Sequence, residues 1–343
     1  MSPLRSLGNL KSIFDDFYGR TGKDASDPPP VPPFEATGGT KITSGSDTYH
    51  VFLYTGSPQT FSVSGAPGSL TAKVLVVGGG GSGGFSADGV SGGGGAGGVQ
   101  YYTTYPITNG DTTVVVGNRG ANPGSGPTIT PDPGINDGED TTFGSAIGYG
   151  GGGGAHEFND GIRNETGHDG GSGGGGASYP YPGTSGGTAT QPGAPLVSGA
   201  GGTNYGNAGG SGMNSNPGVG GGGGGSGQSG QDGGTPPRGK GGDGQAFPEF
   251  PGPALAPAIP STNVTTIGPT GLFAGGGAGG PGAPGTRPGG AGGGGSSGPG
   301  TSASDGTDAT GYGSGGSGTQ FGASNTNASP AGTAGIVIVK YSS

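Results

Sequence analysis

VLVVGGGGSGG, residues 74–84, decides how the rest of the chain is read. A β-branched run enters a glycine tract, and Gly79, Gly81 and Gly84 fit G-x-G-x-x-G, the phosphate-binding turn of a dinucleotide fold. That fold needs a helix beginning at the glycines, with its N-terminus on the pyrophosphate. Residues 78–98 instead read GGGGSGGFSADGVSGGGGAGG, thirteen glycines in twenty-one positions. At about 1 kcal/mol per Gly relative to Ala, a helix there starts roughly ten kcal/mol behind. No amphipathic period recovers it, and the acidic residue such folds carry about twenty positions on is missing between Gly95 and Tyr102. The strand survives this reading and the nucleotide site does not.

Composition points the same way. Of 343 residues, 97 are Gly and 31 Pro, while 26% are hydrophobic and 10% charged. An ordinary domain is about 45–50% apolar, so one large hydrophobic core is excluded. Such a Gly and Pro content usually marks disorder, but disordered chains are commonly rich in charge and lack β-type runs. This chain is poor in charge and has such runs at both ends of its glycine region. A net charge of -9, with 12 Lys and Arg and no basic patch, argues against nucleic-acid binding. The absence of Cys removes disulfides, thiolate catalysis and Cys-ligated zinc. No apolar run reaches the length of a membrane span, and residues 1–25 lack the apolar stretch of a signal peptide.

Residues 1–26 hold the one helix the pattern supports, over 2–20. Ser2 caps it, Pro3 suits the first turn, and Leu4, Leu7, Leu10, Phe14 and Phe17 share a face. Residues 27–39 read as a Pro-rich linker, semi-rigid and extended, which detaches that helix and makes its apolar face an anchor for a partner. Runs at 49–54, 60–63, 71–77, 99–105, 112–117 and 141–144 read as strands between Gly, Pro, Asn and Ser. GIVIVKY, 335–341, is another strand nearly 190 residues away, without a local partner. Its exposed ladder groups predict insertion into the first β-layer, which makes residues 150–334 one long excursion.

The glycine tracts of that excursion recur without a fixed period, so a solenoid is excluded. Collagen needs Gly at every third position, and the best register, Gly276 to Gly285, breaks at Pro288. A three-residue-per-turn extended helix fits better. It makes no internal hydrogen bonds, so each N–H and C=O must find a lateral partner. Without Cβ atoms, such rods approach closely enough to bond to one another. The expected fold is mainly β: an antiparallel β-sandwich over residues 40–149 and 335–343, closed by the C-terminal strand. It carries a bundle of polyglycine II helices with display loops over residues 150–334.

The residues that carry chemistry are few. His50 falls in a strand; His156 and His168 flank a loop with Glu157, Asp160, Glu165 and Asp169, at no metal-ligand spacing. PDPGINDGED, 131–140, clusters Asp132, Asp137, Glu139 and Asp140 but does not fit the twelve-residue Ca²⁺ loop. No catalytic set, metal or cofactor site emerges, and the chain reads as no enzyme. Tyr179 and Tyr181, with Phe247, Phe250 and Phe273, are the candidate surface-binding residues, since a rigid array displays its loops. Covering rod ends and filling a small core is their alternative role.

YHVFLYTGSPQTFSV, VLVVGGGGSGG, TTVVVGNRG, TTFGSAIGYGGGGG and the terminal GIVIVKY resemble, in order, the glycine-rich domain of bacteriophage tail-fibre, adhesin and other virion proteins. A similar module occurs in the ectodomain of certain receptor tyrosine kinases, but no kinase accompanies it here. The resemblance implies a virion protein, a tail fibre or adhesin, held to other virion proteins by the anchor residues Leu4 to Phe17. It further implies contact with a host-surface glycan or protein, an extracellular particle location and a homo-oligomer, with a trimer usual for fibres. The alternatives are a structural decoration or fibre-shaft protein and, more distantly, an ice-binding protein. One departure stands out: Asn325-Thr326 leads to NASPAGTAG where the family often has a further glycine block, so the final rod is expected to be missing.

Overall fold

The computed structural model describes residues 33–86, 89–121, 136–157, 165–178, 182–214, 218–282, 284–299, 306–320 and 329–342. The expected N-terminal helix, with Leu4, Leu7, Leu10, Phe14 and Phe17, lies outside them, as do Tyr179 and Tyr181.

The described chain is mainly β. Strands β1 (Glu35–Thr37), β4 (Gln59–Ser64), β7 (Gly110–Val115), β8 (Thr141–Phe143) and β9 (Ala146–Gly148) form an antiparallel five-stranded sheet in the order 1-4-7-8-9. A six-stranded sheet has the order 10-6-5-13-3-2. Its strands are β2 (Thr40–Ser44), β3 (Asp47–Phe52), β5 (Thr71–Val77), β6 (Val99–Pro106), β10 (Gly202–Tyr205) and β13 (Ile336–Ser342). The C-terminal β13 pairs antiparallel with both β3 and β5, so its ladder groups are satisfied on each side. Residues 35–37, expected in a linker, form β1 instead. Their N–H and C=O groups pair with Ser62 to Ser64, and Phe34 packs edge-on against Tyr341 at 5.3 Å.

Two cores explain the unbroken apolar runs. Val74 and Val76, with Val337 and Val339, meet Phe61, Val63, Val114 and Phe143 between the two sheets. Leu75, Val77, Ile336 and Ile338 point to the other face. A strand buried on both faces has no polar alternation to show. The second face is covered by residues 245–273, which the sequence places among display loops. They contain the paired β11 (Gln245–Ala246) and β12 (Leu272–Phe273) and two helices, α1 (Gly252–Leu255) and α2 (Ser261–Ile267). Helix α2 is built from β-branched residues of poor helix propensity; Ile267 and Val264 hold it on the second core. Lys73 on β5 pairs with Glu249 of the cover at 3.0 Å.

The glycine segments leave from one end of the sheets: 78–85 after β5, 90–98 before β6, 149–156 after β9 and 329–335 before β13. They are extended, and their hydrogen bonds run laterally. Along residues 91–98 every backbone N–H donates to another segment. Ser91, Gly94 and Gly97 donate to Thr319, Gly316 and Gly313; Gly92, Gly95 and Gly98 donate to Ala155, Gly152 and Tyr149; Gly93 and Ala96 donate to Gly221 and Gly224. The direction of donation thus repeats every third residue. Carbonyls of the same segment accept from 78–84, 172–175 and 277–280, which gives it six neighbours. Close approach requires glycine: a Cβ on Gly92 would stand 1.9 Å from the Gly175 carbonyl oxygen. The final segment is present, contrary to expectation. Pro330 and Thr333 accept from Gly83 and Gly80, and between them a Cβ on Gly332 would stand 2.3 Å from the Gly80 carbonyl oxygen.

Candidate functional site

The pairings give the molecule two poles. At the sheet end remote from the glycine segments lie Phe34, β1 and the C-terminal Tyr341, because Glu35 pairs with Ser64 and Ser342 with Asp47. A Lys340–Asp47 ion pair at 2.9 Å reinforces that pole. At the far end of the glycine segments the connections come together. Ser86 bridges Glu157, Val90 bridges both Ser178 and Gln320, and Val219 bridges Pro281. Ser178 and Thr184 stand together at this end, where the Thr184 N–H bonds to the Ala177 carbonyl at 3.0 Å.

Phe247, Phe250 and Phe273 do not belong to this end. All three are buried in the second core, where Phe247 meets Tyr101 and Tyr205 at 5.3 Å and Phe250 meets Tyr101 at 6.1 Å. They cover the sheet and are withdrawn from any surface contact. The physical reason is the doubly apolar β5 and β13, whose second face needs a cover of this size.

The acidic residues have a task that composition did not reveal. Outer segments lack a neighbouring carbonyl on one side, and carboxylates take its place. Asp137, Asp140, Asp169, Asp232, Asp243 and Asp308 accept backbone N–H groups of Gly153, Gly150, Thr188, Ser211, Ala291 and Ala331 over 2.6–2.9 Å. Glu139 does the same for Asn118 at 3.0 Å. Asp137, Glu139 and Asp140, clustered in sequence, therefore serve three different N–H groups. Among the described residues no group of three or more His, Asp or Glu is arranged to hold a metal ion.

The three histidines divide by environment. His50 is fully buried, donating from Nδ1 to the Gly38 carbonyl at 2.8 Å and accepting the Tyr341 hydroxyl at Nε2; burial holds its pKa below the usual range. His168 lies 2.8 Å from Asp137, whose hydrogen bond raises its pKa. His156, at the far end, is buried and accepts the Phe85 N–H at Nδ1. Burial, with the nearby His168 adding to it, pushes its pKa down to about 4.

Among the described residues no helix is long and apolar enough to cross a membrane. A family model described as a glycine-rich domain matches residues 55–342, from the loop after β3 to the end of β13. No curated protein matches the chain.

Proposed function

The chain belongs to the glycine-rich domain family, and on that premise we propose that it is a rigid display module of a virion, a tail fibre or adhesin. One observation carries the reading: the N-terminal approach and the far-end connections occupy opposite poles of the molecule. An anchor in residues 1–26 then attaches at the sheet pole, while the far end faces a host glycan or protein. Tyr179 and Tyr181, stiff aromatic side chains with polar tips, are its contact residues.

The finer architecture belongs to the same proposal. The two sheets make a β-sandwich closed by β13, and the glycine segments are polyglycine II helices. The three-residue repeat of donor direction along 91–98 supports this, because that helix has three residues per turn and no internal hydrogen bonds. A lattice of backbone bonds suits a stiff spacer, since no long side chains remain to rearrange.

Locating the protein on purified particles by immunogold labelling tests the reading, together with cell binding by the isolated chain. The expected results are labelling at a projecting fibre and at least about a tenfold loss of binding in the Tyr179→Ala/Tyr181→Ala variant. Particle labelling without any cell binding moves the protein to the structural-decoration reading. Absence from particles overturns the proposal.

A further inference from the structure

The first core thins out towards the pole remote from the glycine segments. Directly paired residues of an antiparallel ladder share a face, and on β4 and β7 Val63 pairs with Gly110 and Phe61 with Thr112. Phe61 and Val63 face the core, so the inward positions of β7 read Gly110, Thr112, Val114 from that pole. Gly110 has φ +121° and no side chain, and a Cβ built there would meet nothing within 4 Å. The sheets therefore leave an open cavity of about 180 Å³ between them, reaching Pro106, which pairs with Thr71 at the same pole.

Three rings line this cavity. Phe61 and Phe143 stand 5.8 Å apart, and Tyr105 meets Phe143 edge-on at 5.3 Å. Val63 and Val197 add apolar walls, and no lining residue is charged. Asp111 pairs with Ser62 and accepts its hydroxyl at 2.6 Å on the outer face, away from the cavity. The hydroxyls of Tyr105 and Thr112 make no hydrogen bond among the described residues. They flank one turn: a Cβ built on Gly144 would lie 3.4 Å from the Tyr105 hydroxyl and 3.3 Å from Thr112 Cγ2. Burial raises the Tyr105 pKa, so that group stays a neutral donor and acceptor.

A cavity of about 150 Å³ lined by Leu, Ile and Phe holds benzene, so this one has room for a single substituted ring. Aromatic rings gain from meeting other rings edge-on or offset, which favours an aromatic occupant over an aliphatic one of the same volume. An ion entering here would lose water with no opposite charge in reach. Two unpaired hydroxyls favour an occupant with a hydrogen-bonding group of its own.

We propose that the cavity binds a small uncharged aromatic compound with one hydroxyl, a simple phenol. Its ring packs against Phe61, Tyr105 and Phe143, and its hydroxyl bonds to those of Tyr105 and Thr112. The site lies at the pole opposite the proposed host contact and does not rest on the display reading.

The test titrates phenol into the full chain and follows NMR chemical shifts. The amides of Phe61, Tyr105, Thr112 and Phe143 are expected to move along one saturable curve with a dissociation constant at or below about 1 mM. The Gly94 amide, within the glycine array, should stay in place. Cyclohexanol, a saturated ring of similar size, should bind at least about threefold more weakly. The Tyr105→Phe/Thr112→Val variant keeps the rings and removes both hydroxyls, so it should weaken phenol roughly 3–10-fold and leave toluene unchanged. Val197→Trp plugs the cavity and should abolish binding of both compounds, with the melting temperature and the Gly94 shift showing that the chain is folded. Thr112→Phe closes it from β7 if the first plug does not fold. The assignment is overturned by the absence of saturable shifts up to about 10 mM phenol, or by binding that persists in a folded plugged variant. Equal affinity for cyclohexanol, or no loss on removing the hydroxyls, overturns it as well.

Discussion

The sheets and the glycine segments are both buried, and they are buried by different chemistry. Between and behind the sheets, Phe, Val, Ile, Leu and Tyr side chains leave water, and the backbone ladder is shared with few neighbours. Residues 78–84 are buried as completely, yet carry almost no side chain to transfer. Their neighbours are carbonyls and N–H groups on every side. Ordering them is costly, because glycine loses the most backbone freedom, and each net hydrogen bond returns only about 1 kcal/mol. Such an array stands when it is cooperative and starts from a template. The sheet end, where four segments leave in register, is that template. The comparison also separates two kinds of tolerance. A side-chain core accepts changes of similar volume, whereas at positions such as Gly92 the glycine array has no room for one added carbon.

The sharpest way to break this contrast is Gly92→Ala. With the Gly175 oxygen 1.9 Å from the new Cβ, backbone on both sides must move, and a loss of about 4 kcal/mol or more is expected in urea unfolding. A loss below about 1 kcal/mol would show that the segments are not locked. Next comes Phe250→Ala, which empties a fully buried site in the second core and should lower stability by about 3–5 kcal/mol. Calorimetry adds a check, since apolar burial governs the heat capacity of unfolding and the glycine array should add little to it.

The third effect is acid lability. His156 has a folded-state pKa of about 4 against 6.5 unfolded, so the unfolded chain binds its proton first. Its contribution is fully present above pH 6.5 and is lost as pH falls towards 4, about 3 kcal/mol in all. His50, depressed by burial, acts in the same direction. His168 has the opposite sign: its raised pKa gives stability that is present below the unfolded value and lost as pH rises through the folded one. Melting curves between pH 4 and 8 should therefore flatten at the acid side in His156→Asn and lose an acid-side gain in His168→Gln. The smallest effect belongs to the carboxylates at the array's edge. Asp169→Ala removes the acceptor of the Thr188 N–H and should cost about 1 kcal/mol, while Asp169→Asn, which keeps an oxygen there, should cost less. Equal losses for the two would mean that charge, and not acceptance, is what matters at the edge.

Much of the sheet region was legible because its signals are local. The runs at 49–54, 60–63, 71–77, 99–105 and 112–117 correspond to β3, β4, β5, β6 and β7 within a few residues, and 335–341 to β13. Strand β1 was hidden by the prolines before it, which read as a linker. The cover over residues 245–273 looks displayed in the sequence because its aromatic residues are spaced among prolines without a helical or strand period. Its role depends on the uncovered face of β5 and β13, which no local pattern reports. The array's acidic edge was equally invisible. An Asp accepting an N–H from a segment elsewhere in the chain looks, in sequence, like any solvated Asp. At the far end, His156 and Glu157 read in the sequence as part of a loop. Their hydrogen bonds to Phe85, Ser86 and Gly89 join residues some seventy positions apart.

By itself, VLVVGGGGSGG determined that a strand passes into a segment that cannot be a helix, because thirteen glycines in residues 78–98 forbid one. Composition likewise determined that most of the chain has to be satisfied by backbone bonds and not by oil. Which segments neighbour which, which carboxylates replace missing carbonyls, and which aromatic residues go inside were decided by the tertiary structure. The physical reason is that a glycine looks the same to every neighbour. Its partner is chosen by the geometry of the whole array, set by the register of the sheets from which the segments start.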